Sequence, residues 1–267
     1  MHSESSLCYV PHMPPDCLFC NNSAGSQEHL WAAWIHKRED FGPLKVTIGN
    51  SKQEIRNDPE QKIDTVCGDC NNGWMSRIEN KNKPIIACTL QDLTIPLDRQ
   101  QQTLLSNWAL KTAMVFDSVK NPESNPRFYL KSDCVIFRQQ RIMPNRVRIW
   151  IGRYSLSSLG AYGTDVAIVF PGDSKIGIGT ATTIVIGHLA AQVFAMRVNP
   201  EHRSKEIADV QPKTGDWDDM LVQIWPITKQ SVIWPSKIPF RNGGPHGIAT
   251  LMDRWRIGIG VPYTPTA

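Results

Sequence analysis

Two C-x-x-C pairs, Cys17/Cys20 and Cys67/Cys70, set the strongest limit on how this chain folds. Each pair offers two thiols from one tight turn, and together they make the four-ligand tetrahedral set that zinc takes in structural sites. One such pair alone says little. Two of them, with no other cysteine between, close a loop of about fifty residues around a single ion. The chain has seven cysteines, an odd number, and the paired spacing reads as metal ligation in a reducing compartment rather than as a disulfide framework. Cys8, Cys88 and Cys134 are scattered and read as buried or idle thiols.

The composition, 41% hydrophobic and 20% charged, excludes collagenous, fibrous and wholly disordered classes. A chain of 267 residues buries a sizeable core, as one large domain or two ordinary ones. The opening MHSESSLCYV lacks the basic start and apolar run of a secretory signal, and no later stretch approaches the roughly 18 apolar residues that span a bilayer. The expected address is the cytoplasm, with no membrane partner. No internal repeat or low-complexity tract points to a solenoid or a linker-joined array.

Along the chain, the polar, proline-containing residues 1–15 read as a loose arm, 16–83 as a zinc-stapled module, and 84–267 as a larger mixed domain. The module has few apolar runs and only short β-like pieces, LKVTIG at 44–49 and KIDTVC at 62–67, so it needs the metal staple. Leu104 to Val119 places Leu104, Leu105, Trp108, Thr112, Val115, Phe116 and Val119 on one helical stripe, with Asn121-Pro122 as its stop. From Phe128 onward strand signals dominate, in FYLKSDCVIF, RVRIWIGRY, DVAIVF, TTIVIGHLAAQVFAMRV, LVQIWPI and SVIWP. Trp225-Pro226 and Trp234-Pro235 mark strand ends or edges. The fold class is α+β, a small zinc module followed by a mainly β domain with one or two helices.

The net charge of +4 is unevenly spread. Residues 1–83 hold nine basic and eleven acidic residues, whereas Arg127 to Arg153 alone hold seven basic residues against the single acid Asp133. This stretch is the leading candidate for a phosphate-binding surface, with Arg146, Arg148 and Arg153 alternating along a strand so that some share a face.

The chemistry-bearing residues flank the zinc ligands. Eight residues after Cys20 comes the doublet Glu28-His29, and directly after Cys70 comes Asn71, in the string CGDCNNGWMSRIE. With these residues the N-terminal segment resembles the HNH, or ββα-metal, endonuclease superfamily. The nearest likeness is to its two-C-x-x-C variant, represented by phage Holliday-junction resolving endonucleases and by bacterial proteins with a C-N-x-G-W-M run. The resemblance covers about 65 residues and implies a treble-clef module, with one knuckle on a hairpin and the other opening a helix. It further implies Cys17, Cys20, Cys67 and Cys70 on zinc, Glu28 and Asn71 on a catalytic divalent ion, and His29 as general base. The middle Asn of the motif, which orients the base in many members, is replaced here by Lys62; Asn50, Asn57 or a backbone carbonyl are the stand-ins.

The chemistry asks for the same types of residue. Water attacks a phosphodiester anion only when a cation offsets the developing charge and a neutral imidazole takes the proton. Oxygen donors such as Glu28 and Asn71 suit Mg²⁺ or Mn²⁺. The expected function is therefore a metal-dependent nuclease acting on nucleic acid, DNA ahead of RNA, with Asn72 as a further phosphate contact. A noncatalytic zinc-bearing nucleic-acid-binding protein is the first alternative, and a ligand- or partner-sensing domain controlling the nuclease head is the second. Glu79 reads as an ion-pair partner, His188 as a core histidine, and Trp31, Trp34 and Trp74 as core of the small module. His36 and His29 are spaced to share a helical face.

Overall fold

The computed structural model describes residues 16–41, 44–46, 54–56, 62–119, 127–144, 146–169, 175–198, 209–211, 217–242 and 259–261. Helix and strand are mixed throughout. Near the N-terminus, β1 (Ser26–His29) pairs antiparallel with β4 (Lys62–Val66), with a bulge between Ser26 and Glu28. Between them lie the one-turn α1 (Ala33–His36) and the paired strands β2 (Leu44–Val46) and β3 (Glu54–Arg56). The β-like pieces of the sequence thus form strands, while Cys8, Asn50, Asn57 and the loose arm lie outside the described residues.

Each cysteine pair sits on a different local structure. Cys17 and Cys20 occupy a turn closed by the Asp16–Ser23 bridge and by the Cys17 N–H donating to the Asn22 carbonyl at 2.8 Å. The Leu18 N–H donates to the Thr65 carbonyl at 2.8 Å, which fastens this turn to β4. Cys67 instead caps a helix, its sulfur accepting the Cys70 N–H. That helix begins as α2 (Gly68–Cys70), widens into a π turn at Asn71–Met75 and continues as α3 (Ser76–Leu90). The sequence puts a boundary after Lys83, but α3 carries the chain through it. Pro84 and Asn80, whose carbonyl loses its usual partner, are both exposed, so that carbonyl is not stranded in the core and the helix survives.

After β5 (Ile95–Asp98) comes α4 (Arg99–Asp117), opened by a capping box in which Asp98 accepts the Gln101 N–H at 2.8 Å and Gln101 returns the bond at 2.9 Å. The stripe expected from the sequence is too narrow a description. Burial runs almost unbroken from Leu105 to Val115, because α3 and the main sheet pack around α4. The helix ends at Asp117, ahead of Asn121-Pro122, which lie outside the described residues. Asp117 accepts the Phe128 and Tyr129 N–H groups at 2.7 and 3.0 Å, fixing where the chain returns.

The segment FYLKSDCVIF, expected as a strand, is largely helical: α5 spans Lys131–Gln140. Its β-favouring residues are overridden because only Cys134 and Phe137, three apart, are buried, which is a helical spacing. Asp133 accepts the Leu130 N–H at the N-terminal end, and Arg141 closes the other end in a left-handed conformation at φ 56°.

The strand signals that follow merge into two long strands, β6 (Val147–Val169) and β7 (Lys175–Val198), joined antiparallel. The register shifts twice, between Arg153 and Ser158 and again between Ile168 and Val169; at the first, His188 donates from Nδ1 to the Tyr154 carbonyl at 2.9 Å, so it is satisfied as expected but half-buried rather than fully in the core. Then β8 (Asp209–Gln211) precedes the short α6 (Trp217–Met220) and β9 (Leu221–Trp225), which extends the main sheet beside β6. β10 (Ser231–Trp234) pairs with β5, and β11 (Ile259–Val261) with β8. Both Trp-Pro pairs end their strands, each through a cis bond. One apolar core runs continuously from Cys17 and Trp74 through Trp108 and Phe137 to Ile149 and Trp234, and a second, around Trp150, Phe194 and Phe240, covers part of the main sheet. Among the described residues no helix is long and apolar enough to cross a membrane.

Candidate metal centre and the residues around it

The two knuckles bring Cys17, Cys20, Cys67 and Cys70 together, all buried, with their sulfurs within 4.8 Å of one another. Cys20 Sγ lies 3.5 Å from Cys67 Sγ and 3.7 Å from Cys70 Sγ, and none forms a disulfide. A zinc–sulfur bond of about 2.3 Å gives a tetrahedron with edges of about 3.8 Å, so the cage matches zinc in donor type and size. The Phe19 and Cys70 N–H groups point at the Cys17 and Cys67 sulfurs at 3.4 Å, a preformed preference for thiolate. Burial pushes the Cys20 and Cys70 thiols up in pKa. Cys67 is also pushed up by burial, but the Cys70 N–H and the surrounding thiols bring it below its ordinary value. Four buried sulfurs this close together could hold a metal ion such as zinc, which would offset the charge of their thiolate forms.

Neighbouring elements grip this cage from outside. Asn22 donates to Asp69 at 3.0 Å, tying one knuckle to the other. Lys131, from α5, donates to the carbonyls of Cys17 and Cys20. Trp74 meets Phe19 edge-on at 4.8 Å and Phe137 at 5.9 Å, and the Arg141 guanidinium lies 4.5 Å from its ring centre. Trp31 and Trp74 are buried as expected, while Trp34 is half-buried beneath Lys83, 5.3 Å from its ring centre.

Glu28, His29 and Asn71 surround the ladder that joins the knuckles. Glu28 is only 3% exposed and faces the core, where Lys111 Nζ reaches it at 3.4 Å. The same ammonium, itself buried, lies 2.9 Å from Glu79, which bears out the ion-pair reading of Glu79. Burial raises the Glu28 carboxyl, with Lys111 pulling it only partly back. Burial lowers Lys111, but Glu79 and Glu28 together carry it above its usual value.

His29, the next residue on β1, is half-buried and sits opposite Lys62 in the ladder. His29 lies on a strand and His36 ends α1, so the helical face suggested by their spacing does not exist. Asn71 Nδ2 donates to Ser26 Oγ at 2.8 Å, binding the start of the π turn to the start of β1, and Asn72 beside it is exposed. Among the described residues, the four cysteines are the one group of three or more Cys, His, Asp or Glu side chains close enough to share an ion.

The arginines singled out from the sequence are dispersed. Arg146 precedes β6 at φ 65° and is exposed; Arg148 is bonded to Gln223 at 3.4 Å. Arg153 lies five residues beyond Arg148 on the regular part of β6, hence on the opposite face, and makes a two-point ion pair with Asp92. The shared strand face does not form. Sequence reasoning also passed over Lys111, whose signal was a lone charge within the run WALKTAMVF. Set against family models, curated proteins and solved structures, the chain matches none of them.

Proposed function

We propose that this chain is a metal-dependent endonuclease of the HNH type, with a treble-clef head, that hydrolyses phosphodiester bonds in nucleic acid, DNA ahead of RNA. The observation that carries the reading is the Asn71–Ser26 hydrogen bond. It ties the residue directly after the last thiolate to the strand bearing Glu28 and His29. Zinc in the four-thiolate cage is structural. Glu28 and Asn71 suit a Mg²⁺ or Mn²⁺ ion in their donor chemistry: Asn71 commits its amide nitrogen to Ser26, leaving its oxygen as the ligating atom, and Glu28 adds a carboxylate.

When bound, such an ion would offset charge on the phosphate and on the leaving oxygen. His29 acts as base: it removes a proton from water as the water oxygen bonds to phosphorus and the bond to the leaving oxygen breaks. Residues 84–267 supply substrate binding or control.

One observation favours the alternative, a noncatalytic zinc-bearing nucleic-acid-binding protein. Glu28 is buried against Lys111 and is already charge-compensated without a second ion. Incubating purified protein with supercoiled plasmid, single-stranded DNA and RNA, with Mg²⁺, Mn²⁺ or chelator, separates the two. The nuclease reading expects metal-dependent cutting that His29→Ala abolishes. Equal cutting by parent and His29→Ala under single-turnover conditions would assign the doublet to structure.

A further inference from the structure

We infer that Arg77 on α3 and Arg138 on α5, arranged around Arg141, form a clamp for the phosphate backbone of duplex DNA at the edge of the zinc module. The inference rests on the nuclease reading for its place beside the cutting site, but the clamp itself stands on the arrangement of the two helices.

The geometry starts at Trp74, in the π turn that leads into α3 and three residues before the exposed Arg77. Arg141 lies over the Trp74 ring at 4.5 Å and over Phe137 at 6.0 Å, and its Nη1 donates to the carbonyls of Phe137 and Arg138. It is thereby locked at the C-terminal end of α5. Arg138, three residues earlier, shares its side of that helix. Three guanidinium groups from two elements converge on one patch.

The three guanidinium groups act on one another as like charges. Burial disfavours the Arg141 charge, and the nearby Arg77 and Arg138 disfavour it further, with no carboxylate opposing them. Among the described residues none of the three makes an ion pair. By contrast, Lys111 and Arg153 are paired with acids, and Lys131 is bonded to carbonyls. Arg77 is exposed and Arg138 half-buried, so both remain accessible. Like charges held together without counter-charge gain most from a polyanion that meets them at several points, and a duplex presents a phosphate about every 3.4 Å along each strand. Arg77 lies six residues beyond Asn71 on one continuous helix, about 9 Å along its axis or roughly three nucleotides of backbone.

The test is fluorescence anisotropy with a labelled 20-base-pair duplex, across a salt series, in a His29→Ala background so that no cutting intervenes. Arg77→Gln/Arg138→Gln is compared with Arg146→Gln/Arg148→Gln. Arg141 is left intact because it holds α5 against Trp74. The clamp expects the first pair to weaken binding by about tenfold or more and to lower the salt slope by about two, and the second pair to change little. Unchanged binding by the first pair, an equal loss from the second, or no duplex binding by the parent would overturn the clamp. Cutting is scored separately: a protein that binds through these arginines and never cuts keeps the clamp and loses the nuclease, and one that cuts with unaltered binding after Arg77→Gln/Arg138→Gln does the reverse.

Discussion

Replacing Lys111 with Met keeps most of the buried stem and removes only the charge, so it isolates the ammonium shared by Glu28 and Glu79. Glu79, a fifth exposed in its side chain, can rehydrate, whereas Glu28, 5% exposed, cannot. The Glu28 carboxyl must then either stay ionised without a partner in the core, at a cost of about 3–5 kcal/mol, or take up a proton. Protonation sets the ceiling. Starting from the ordinary value of 4.5, holding a neutral carboxyl at pH 7 costs 1.36 kcal/mol for each of 2.5 pH units, about 3.4 kcal/mol. The folded state of the variant binds this proton more tightly than the unfolded state does, so its stability falls as pH rises from 4.5 through the raised folded value. Urea unfolding followed by tryptophan fluorescence should therefore show Lys111→Met about 3 kcal/mol below the parent at pH 7, with the gap narrowing towards pH 4.5. Adding Glu28→Gln should restore most of the loss. A deficit under 1 kcal/mol at pH 7, or one unchanged on acidification, would refute the reasoning.

Three further outcomes follow from the same contacts. Purified protein should carry about one zinc per chain by elemental analysis, and Cys67→Ser should lose both the metal and cooperative unfolding of the N-terminal region, since binding energy on the order of 10 kcal/mol is coupled to folding in such cages. In cleavage assays Glu28→Ala and Asn71→Ala should recover partly at raised Mn²⁺, whereas His29→Ala should not; equal rescue of all three would remove His29 as the base. Gly152→Ala should cost about 1–3 kcal/mol in thermal or urea unfolding, because an added Cβ runs into the Met220 carbonyl, and a neutral result would mean that this backbone yields.

The cysteine cluster was legible because metal-ligand spacing is a local property: a two-residue gap in each pair already sets two thiols on one turn. The Glu28-His29 strand and the helix after Cys70 were expected only from the resemblance to the treble-clef module, not from spacing, and both are present. Lys111 was not legible, since its partners Glu79 and Glu28 lie 32 and 83 residues away, and no periodicity announces a meeting at that range. In α5, β-favouring residues masked a helix whose identity is set by two buried positions and the packing of Phe137 on Trp74. Likewise, the arginine run from 127 to 153 was read as one surface, although the fold divides it among a helix, a turn and a strand with separate partners.

The unbroken passage of α3 across positions 83 and 84 bears on how this protein can be divided. Here, cutting at the point the sequence suggests would end the chain inside a helix, strip Glu28 of the ammonium that balances it, and remove the α5 residues that grip the knuckles. The metal-bearing end is not a portable part. A fragment meant to keep that end intact has to run through at least Arg141.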